Sequence, residues 1–103
     1  MSAAWKRHER KTARALGGRR NSRGANFGQS APDVSHDLFS IECKVRAKLP
    51  QLLRIGLEQA ASYDQNKVPV LVVRQKHQRG SLVVLKMSDF ASLFGGLTEQ
   101  TEG

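Results

Sequence analysis

From Phe39 to Arg46 apolar and polar residues alternate. Phe39, Ile41, Cys43 and Val45 take one set of positions, and Ser40, Glu42, Lys44 and Arg46 the other. Successive side chains of a strand point to opposite faces. The run Leu38 to Arg46 therefore predicts a strand with one apolar face and one face that carries Glu42 and Lys44. Trp5, Glu9, Thr12 and Leu16 recur at helical spacing, which predicts a helix from Ala3 to Leu16 ended by Gly17-Gly18. Gly18 to Asn21 reads as a short strand, and the Gly-, Ser- and Asn-rich residues 22 to 31 as a loop. Pro50 suits the first turn of a second helix, whose apolar face is Leu52, Leu53, Leu57, Ala60 and Ala61, running to about Tyr63. Val68 to Val73 is a nearly continuous apolar run and predicts a strand buried on both faces. A basic turn follows, then a partner strand from Ser81 to Lys86. Ser88 reads as the N-cap of a short helix through Phe94, with a polar, fraying tail over residues 97 to 103. The predicted order is α-β-β-β-α-β-β-α.

The 103 residues predict a single domain over 1–103 with its core between about residues 3 and 96, enough for one modest hydrophobic core. No run approaches the roughly 18 apolar residues of a membrane span. The basic N-terminus lacks the apolar stretch of a secretory signal. One cysteine allows no intramolecular disulfide, and the expectation is a cytoplasmic, reducing setting. Cys43 lies on the predicted apolar face and reads as packing, not as a nucleophile.

Charge sharpens the picture. The net charge is +8, and residues 1 to 30 hold eight bases against Glu9 alone, leaving +1 for the rest. A basic segment on a nearly neutral body is the footprint of a polyanion binder. Lys6, Arg7, Arg10, Arg14, Arg19, Arg20 and Arg23, continued by Arg46 and Lys48, are the candidate DNA-binding residues. A solubilising arm is the plainer alternative, but the regular apolar spacing of the first helix speaks for order there.

The candidate chemistry gathers around one hairpin. Glu42 and Lys44 share a strand face, roughly 6–7 Å apart at the usual rise per residue. Asp33, nine residues before Glu42, falls on the preceding strand within reach of it. Two carboxylates and a lysine on one sheet face can hold a divalent cation beside a phosphate; the alternative is a hairpin with a solvated polar face. Glu9 adds an acid on the inward stripe of the first helix, although a helical Glu more often pairs with a nearby base. Gln59 and Tyr63 are four apart and share a helix face. A half-buried Tyr beside a polar neighbour is the slightly favoured reading of that pair. The three histidines, at positions 8, 36 and 77, have no zinc-ligand spacing. No glycine cluster has the strand-loop-helix setting of a nucleotide site.

Pro32-Asp33 followed by Glu42-Cys43-Lys44, with a helix before and a helix and strand after, resembles the PD-(D/E)XK nuclease superfamily. The resemblance implies an αβββαβ restriction-endonuclease-like core, a mixed central sheet flanked by helices. It implies a metal-dependent endonuclease in which Asp33, Glu42 and the Cys43 carbonyl hold Mg²⁺, with Mn²⁺ as substitute. Lys44 would position the attacking water or neutralise developing charge, and Glu9 would be a further metal-proximal acid. Gln59 and Tyr63 match a Gln-x-x-x-Tyr pair that some members carry near the site. Minimal size, the helix Glu, the basic Gly-rich loop and the closing strand pair look most like the small Holliday junction resolvases of archaea and phages. That implies four-way DNA junctions as substrate and a homodimer, since the junction is two-fold symmetric; Phe90, Leu93, Phe94 and Leu97 are candidate apolar contacts. The rivals are another nicking or repair nuclease of the superfamily, and a non-catalytic basic nucleic-acid-binding protein.

Overall fold

The computed structural model describes residues 3–21 and 31–94. The elements follow in the order expected: α1 (Ala3–Leu16), β1 (Arg19–Arg20), β2 (Val34–Ser35), β3 (Ser40–Ile41), α2 (Gln51–Tyr63), β4 (Leu71–Val73), β5 (Leu82–Val84) and α3 (Met87–Phe94). The chain divides into two compact units, Met1–Arg46 with Ala91–Gly103, and Ala47–Phe90. Helices and small antiparallel sheets make up the fold. No helix among the described residues is long and apolar enough to cross a membrane.

In the first unit α1 lies on β1 and β2. Glu9, Thr12, Ala13 and Leu16 are buried on its inner stripe, and Val34 is fully buried beneath it. The helix ends in a Schellman motif. Gly17 takes φ 73°, and the Gly18 amide donates to the Ala13 carbonyl at 2.8 Å, which satisfies one of the orphan carbonyls of the last turn. Gly18 is also a point of close approach. A Cβ there would lie 2.6 Å from the Ser35 oxygen and 2.8 Å from a Val34 methyl. His36 closes the same corner, with Nε2 2.7 Å from the Leu16 carbonyl. Its Nδ1 accepts the Leu38 amide, so Nε2 carries the proton and donates to Leu16.

β2 is the middle strand of three. Arg19 pairs with Ser35 and Arg20 with Val34; Val34 pairs with Ile41 and Ser35 with Ser40. The strand expected over Leu38 to Arg46 is thus shorter than its pattern, with ladder pairing only at Ser40–Ile41. The ladder stops at Asp33, whose amide donates to the Ile41 carbonyl and not to Glu42 opposite it in the register. Side chains still alternate past its end: Ile41 and Cys43 are half-buried, Glu42 and Lys44 exposed. Val45 breaks the pattern and is exposed.

In the second unit α2 packs on β4, with Leu71 seated on Gly56; a Cβ at Gly56 would come within 2.7 Å of a Leu71 methyl. β4 and β5 pair antiparallel, Val72 opposite Val83. Asp64 closes α2, its side chain accepting the Asn66 amide at 2.8 Å. Three expectations change here. The strand over Val68 to Val73 is not buried on both faces: Val72 and Val83 are each 62% exposed, because α2 covers only the Leu71 side. Ser88 does not cap α3, which already begins at Met87, and the Lys86 carbonyl takes the Phe90 amide. The expected mixed sheet finds no parallel pair among the described residues, where every ladder is antiparallel. Strands of two and three residues leave few rungs from which a larger sheet could grow.

Candidate functional site

One cavity of about 310 Å³ collects the residues singled out from sequence. Glu9 and Trp5 of α1 form one wall; Asp33, and the segment Glu42-Cys43-Lys44-Val45-Arg46, form the others. A larger cavity of about 470 Å³ sits at the β4–β5 turn, lined by Arg74 and Arg79 among others, but no carboxylate reaches it.

Asp33 is placed by both its neighbours in the sheet. Its carbonyl accepts the Asn21 amide, and its own amide donates to the Ile41 carbonyl, each at 3.0 Å. Asn21 ties the approach down further, its side-chain amide bonding Pro32 O and Ser35 Oγ at 2.8 Å each. The Asp33 carboxylate then accepts the Cys43 amide at 2.7 Å. The side chain therefore gives the Cys43 N–H the acceptor that the ladder, ended at Ile41, does not.

Glu9 is 5% exposed and bonded by Arg20 Nε at 2.7 Å. Strand alternation turns Arg19 outward and Arg20 inward onto α1. The Arg20 guanidinium also lies 5.9 Å from the centre of the Trp5 ring, and Lys6 Nζ 5.4 Å from it, both within cation–π range. Pairing with a base, the commoner fate of a helical Glu, is thus what Glu9 does. Glu42 and Lys44 pair at 3.2 Å with both side chains about 60% exposed. Such a pair is worth little in stability.

Cys43 points inward to Thr12. Burial pushes its thiol up from the ordinary value, a hydrogen bond with Thr12 draws it part-way down, and the Asp33, Glu9 and Glu42 carboxylates push it up again. A thiol held in its protonated form is a poor nucleophile.

No group of three or more His, Cys, Asp or Glu side chains among the described residues is arranged to grip an ion. The donor chemistry nonetheless suits a hard divalent cation, which takes carboxylate and carbonyl oxygens. Glu9, Asp33 and Glu42 all open on the one cavity.

The other sequence candidates are spread more widely. Arg7, Arg10, Arg14 and Arg19 are exposed on α1 and β1, and Lys6 is half-buried. Arg46 lines the cavity, bonded to the Val45 carbonyl. Arg20 is an inward residue and not part of an outer basic face. Lys48, Gln59 and Tyr63 belong to the second unit. Tyr63 is 75% exposed, not half-buried. Arg23 and Leu97 lie outside the described residues. Sequence reasoning missed the inward role of Arg20 and the place of Trp5 in the cavity wall. The signal for Arg20 was the alternation of the Gly18–Asn21 strand, overshadowed by the surrounding run of basic residues.

No family model, curated protein or solved structure matches the chain.

Proposed function

We propose that the protein is a metal-dependent DNA endonuclease of PD-(D/E)XK type. The observation that carries this reading is the convergence of Glu9, Asp33, Glu42 and Lys44 on one cavity, at the end of a strand pair closed by Asp33 itself. Asp33, Glu42 and the Cys43 carbonyl would hold Mg²⁺ or Mn²⁺, with Glu9 as a further acid. A bound divalent ion lowers the pKa of a water and stabilises charge on a phosphate. Lys44, next to that site, supplies a mobile positive charge to a phosphate oxygen. The exposed bases of α1 carry the DNA backbone, which fixes register without reading sequence.

Within that class the reading narrows to a structure-selective Holliday junction resolvase on a restriction-endonuclease-like core, acting as a homodimer. The homodimer follows from the substrate proposed: two copies about a two-fold axis would match the two-fold symmetry of a four-way junction. The same reading sets the protein in the cytoplasm, where a lone thiol stays reduced. A second reading, a non-catalytic basic nucleic-acid-binding protein, draws on the finding that Glu9, Asp33 and Glu42 each already have a protein partner.

Cleavage of four-way junction, duplex and flap DNA in Mg²⁺, by the wild type and by Glu42→Ala, tests the two. Junction cutting that Glu42→Ala abolishes supports the resolvase. Binding without cutting supports the second reading. Sedimentation at micromolar concentration tests the dimer, and a monomer there removes the resolvase assignment.

A further inference from the structure

The Arg20–Glu9 pair stands where the metal chemistry would need Glu9. Glu9 is 5% exposed, so an unpaired charge at that position would be costly. Arg20 relieves it at 2.7 Å. Arg20 keeps 22% of its side chain exposed and has Trp5, a wall of the cavity, beside it. The pair therefore has a buried acid at one end and a partly exposed arginine side chain at the other. A guanidinium carries five N–H donors in a fork that matches phosphate as well as carboxylate.

We propose that Arg20 is an exchangeable counter-cation. In the free protein it holds Glu9 in reserve. When a phosphodiester enters the cavity, Arg20 shares its five N–H donors between the Glu9 carboxylate and the phosphate, which loosens its hold on Glu9 and opens that carboxylate to a divalent cation. This rests on the nuclease reading for the cation, but not for the exchange itself, which needs only the polyanion. Its consequence is ordered assembly: nucleic acid first, metal second. Such coupling is reciprocal, since what one ligand does to the affinity of the other is returned in equal measure. Arg20 is then a positioning residue for Glu9 as well as a contact for phosphate.

The exchange is read directly from the Arg20 Nε–H proton by NMR of the full chain in EDTA, assigned by its loss in Arg20→Lys. Addition of a short DNA duplex moves that resonance away from its carboxylate-bonded position. A resonance that stays in place while the exposed arginines of α1 respond overturns the exchange, as does failure of the duplex to bind. The second measurement is Mn²⁺ binding by calorimetry with and without a duplex made uncleavable by modified linkages. In the wild type the duplex tightens Mn²⁺ binding by at least about fivefold, within the usual range of coupling. In Arg20→Gln the metal binds more tightly without DNA than it does to the wild type, and the tightening by DNA shrinks. Where Arg20→Gln fails to fold, Glu9→Gln serves instead: it keeps the shape, loses the charge, and shows weak metal binding that DNA barely improves. Equal tightening in wild type and variant overturns the proposal. An Arg20 shift with no Mn²⁺ uptake in any state supports the exchange while overturning the nuclease reading, so the two fail separately.

Discussion

The Asp33 carboxylate accepts the Cys43 amide at 2.7 Å, so the acid expected to hold a metal also ends the β2–β3 pairing. Fold and chemistry meet in one side chain and can be pulled apart by isosteric substitution. Asn at position 33 keeps an oxygen to accept the amide but loses the charge; Ala loses both. Asp33→Ala leaves a part-buried donor without its bond, costing about 1–2 kcal/mol, which lowers the melting temperature by roughly 4–8 °C per kcal/mol in a domain of this size. The expected outcome is no cleavage by either variant, and a lowered melting temperature for Asp33→Ala alone. Equal melting points for the two variants would count against the structural role; wild-type cleavage by Asp33→Asn would count against the site.

The outer bases of α1 can be tested without disturbing the cavity. Arg7, Arg10 and Arg14 are exposed, and replacing all three by Gln removes charge and little packing. DNA binding weakens across sequences alike. The slope of log affinity against log salt falls by about 0.9 for each duplex phosphate that the variant no longer neutralises. An unchanged slope shows that this helix face does not touch the backbone.

Cys43 reports on the electrostatics of the cavity. Removing the Asp33 charge with Asn takes away one of the influences that raise the thiol pKa. The pKa falls, more thiolate is present at a given pH, and alkylation by iodoacetamide quickens. Thr12→Val removes the bond that lowers the pKa, so the pKa climbs and alkylation slows. Rates measured between pH 7 and 10 give both shifts. Opposite signs for the two variants are the expected result, and a slower reaction in Asp33→Asn contradicts the proximity of the two groups.

Gly18 is a packing position. The 2.6 Å and 2.8 Å approaches that a Cβ would make are to a backbone oxygen and to fully buried Val34, neither of which can swing away. Gly18→Ala therefore destabilises by about 1–3 kcal/mol, the usual cost of overpacking. Val34→Ala, at the opposite side of the same packed pair, is destabilised by about 2–3 kcal/mol through reduced burial and the void left behind. Chemical denaturation measures both, and a neutral Gly18→Ala would mean that the turn between α1 and β1 sits further from β2.

Much of this was legible in the chain. Spacing at Trp5, Glu9, Thr12 and Leu16 announced α1 and its buried stripe, and glycine at 17 announced its end. Alternation from Phe39 on correctly sorted Cys43 inward and Glu42 and Lys44 outward. The length of β3 was not legible from its own residues, because ladder pairing depends on the partner strand, and there the Asp33 side chain takes the Cys43 amide in place of a backbone carbonyl. The pairing of Glu9 with Arg20 was hidden for a related reason. The two are eleven residues apart, and only the turn at Gly17-Gly18 folds them together. The exposure of Val72 and Val83 was illegible too, since an apolar run reveals appetite for burial and not whether a neighbour satisfies it.

The second unit has α2 on one face of its hairpin and no buried side chain from Ala47 to Phe90. Cohesion of that kind resists slow opening poorly. Among the described residues, the most protected amides should then belong to α1 and β2, around Leu16 and Val34, while those of α2 and the hairpin exchange with solvent orders of magnitude sooner. Among the described residues, α1 and its small sheet then hold firm around the acids while α2 and the β4–β5 hairpin yield, and a protease cuts within 47–90 before it cuts within α1 or β2.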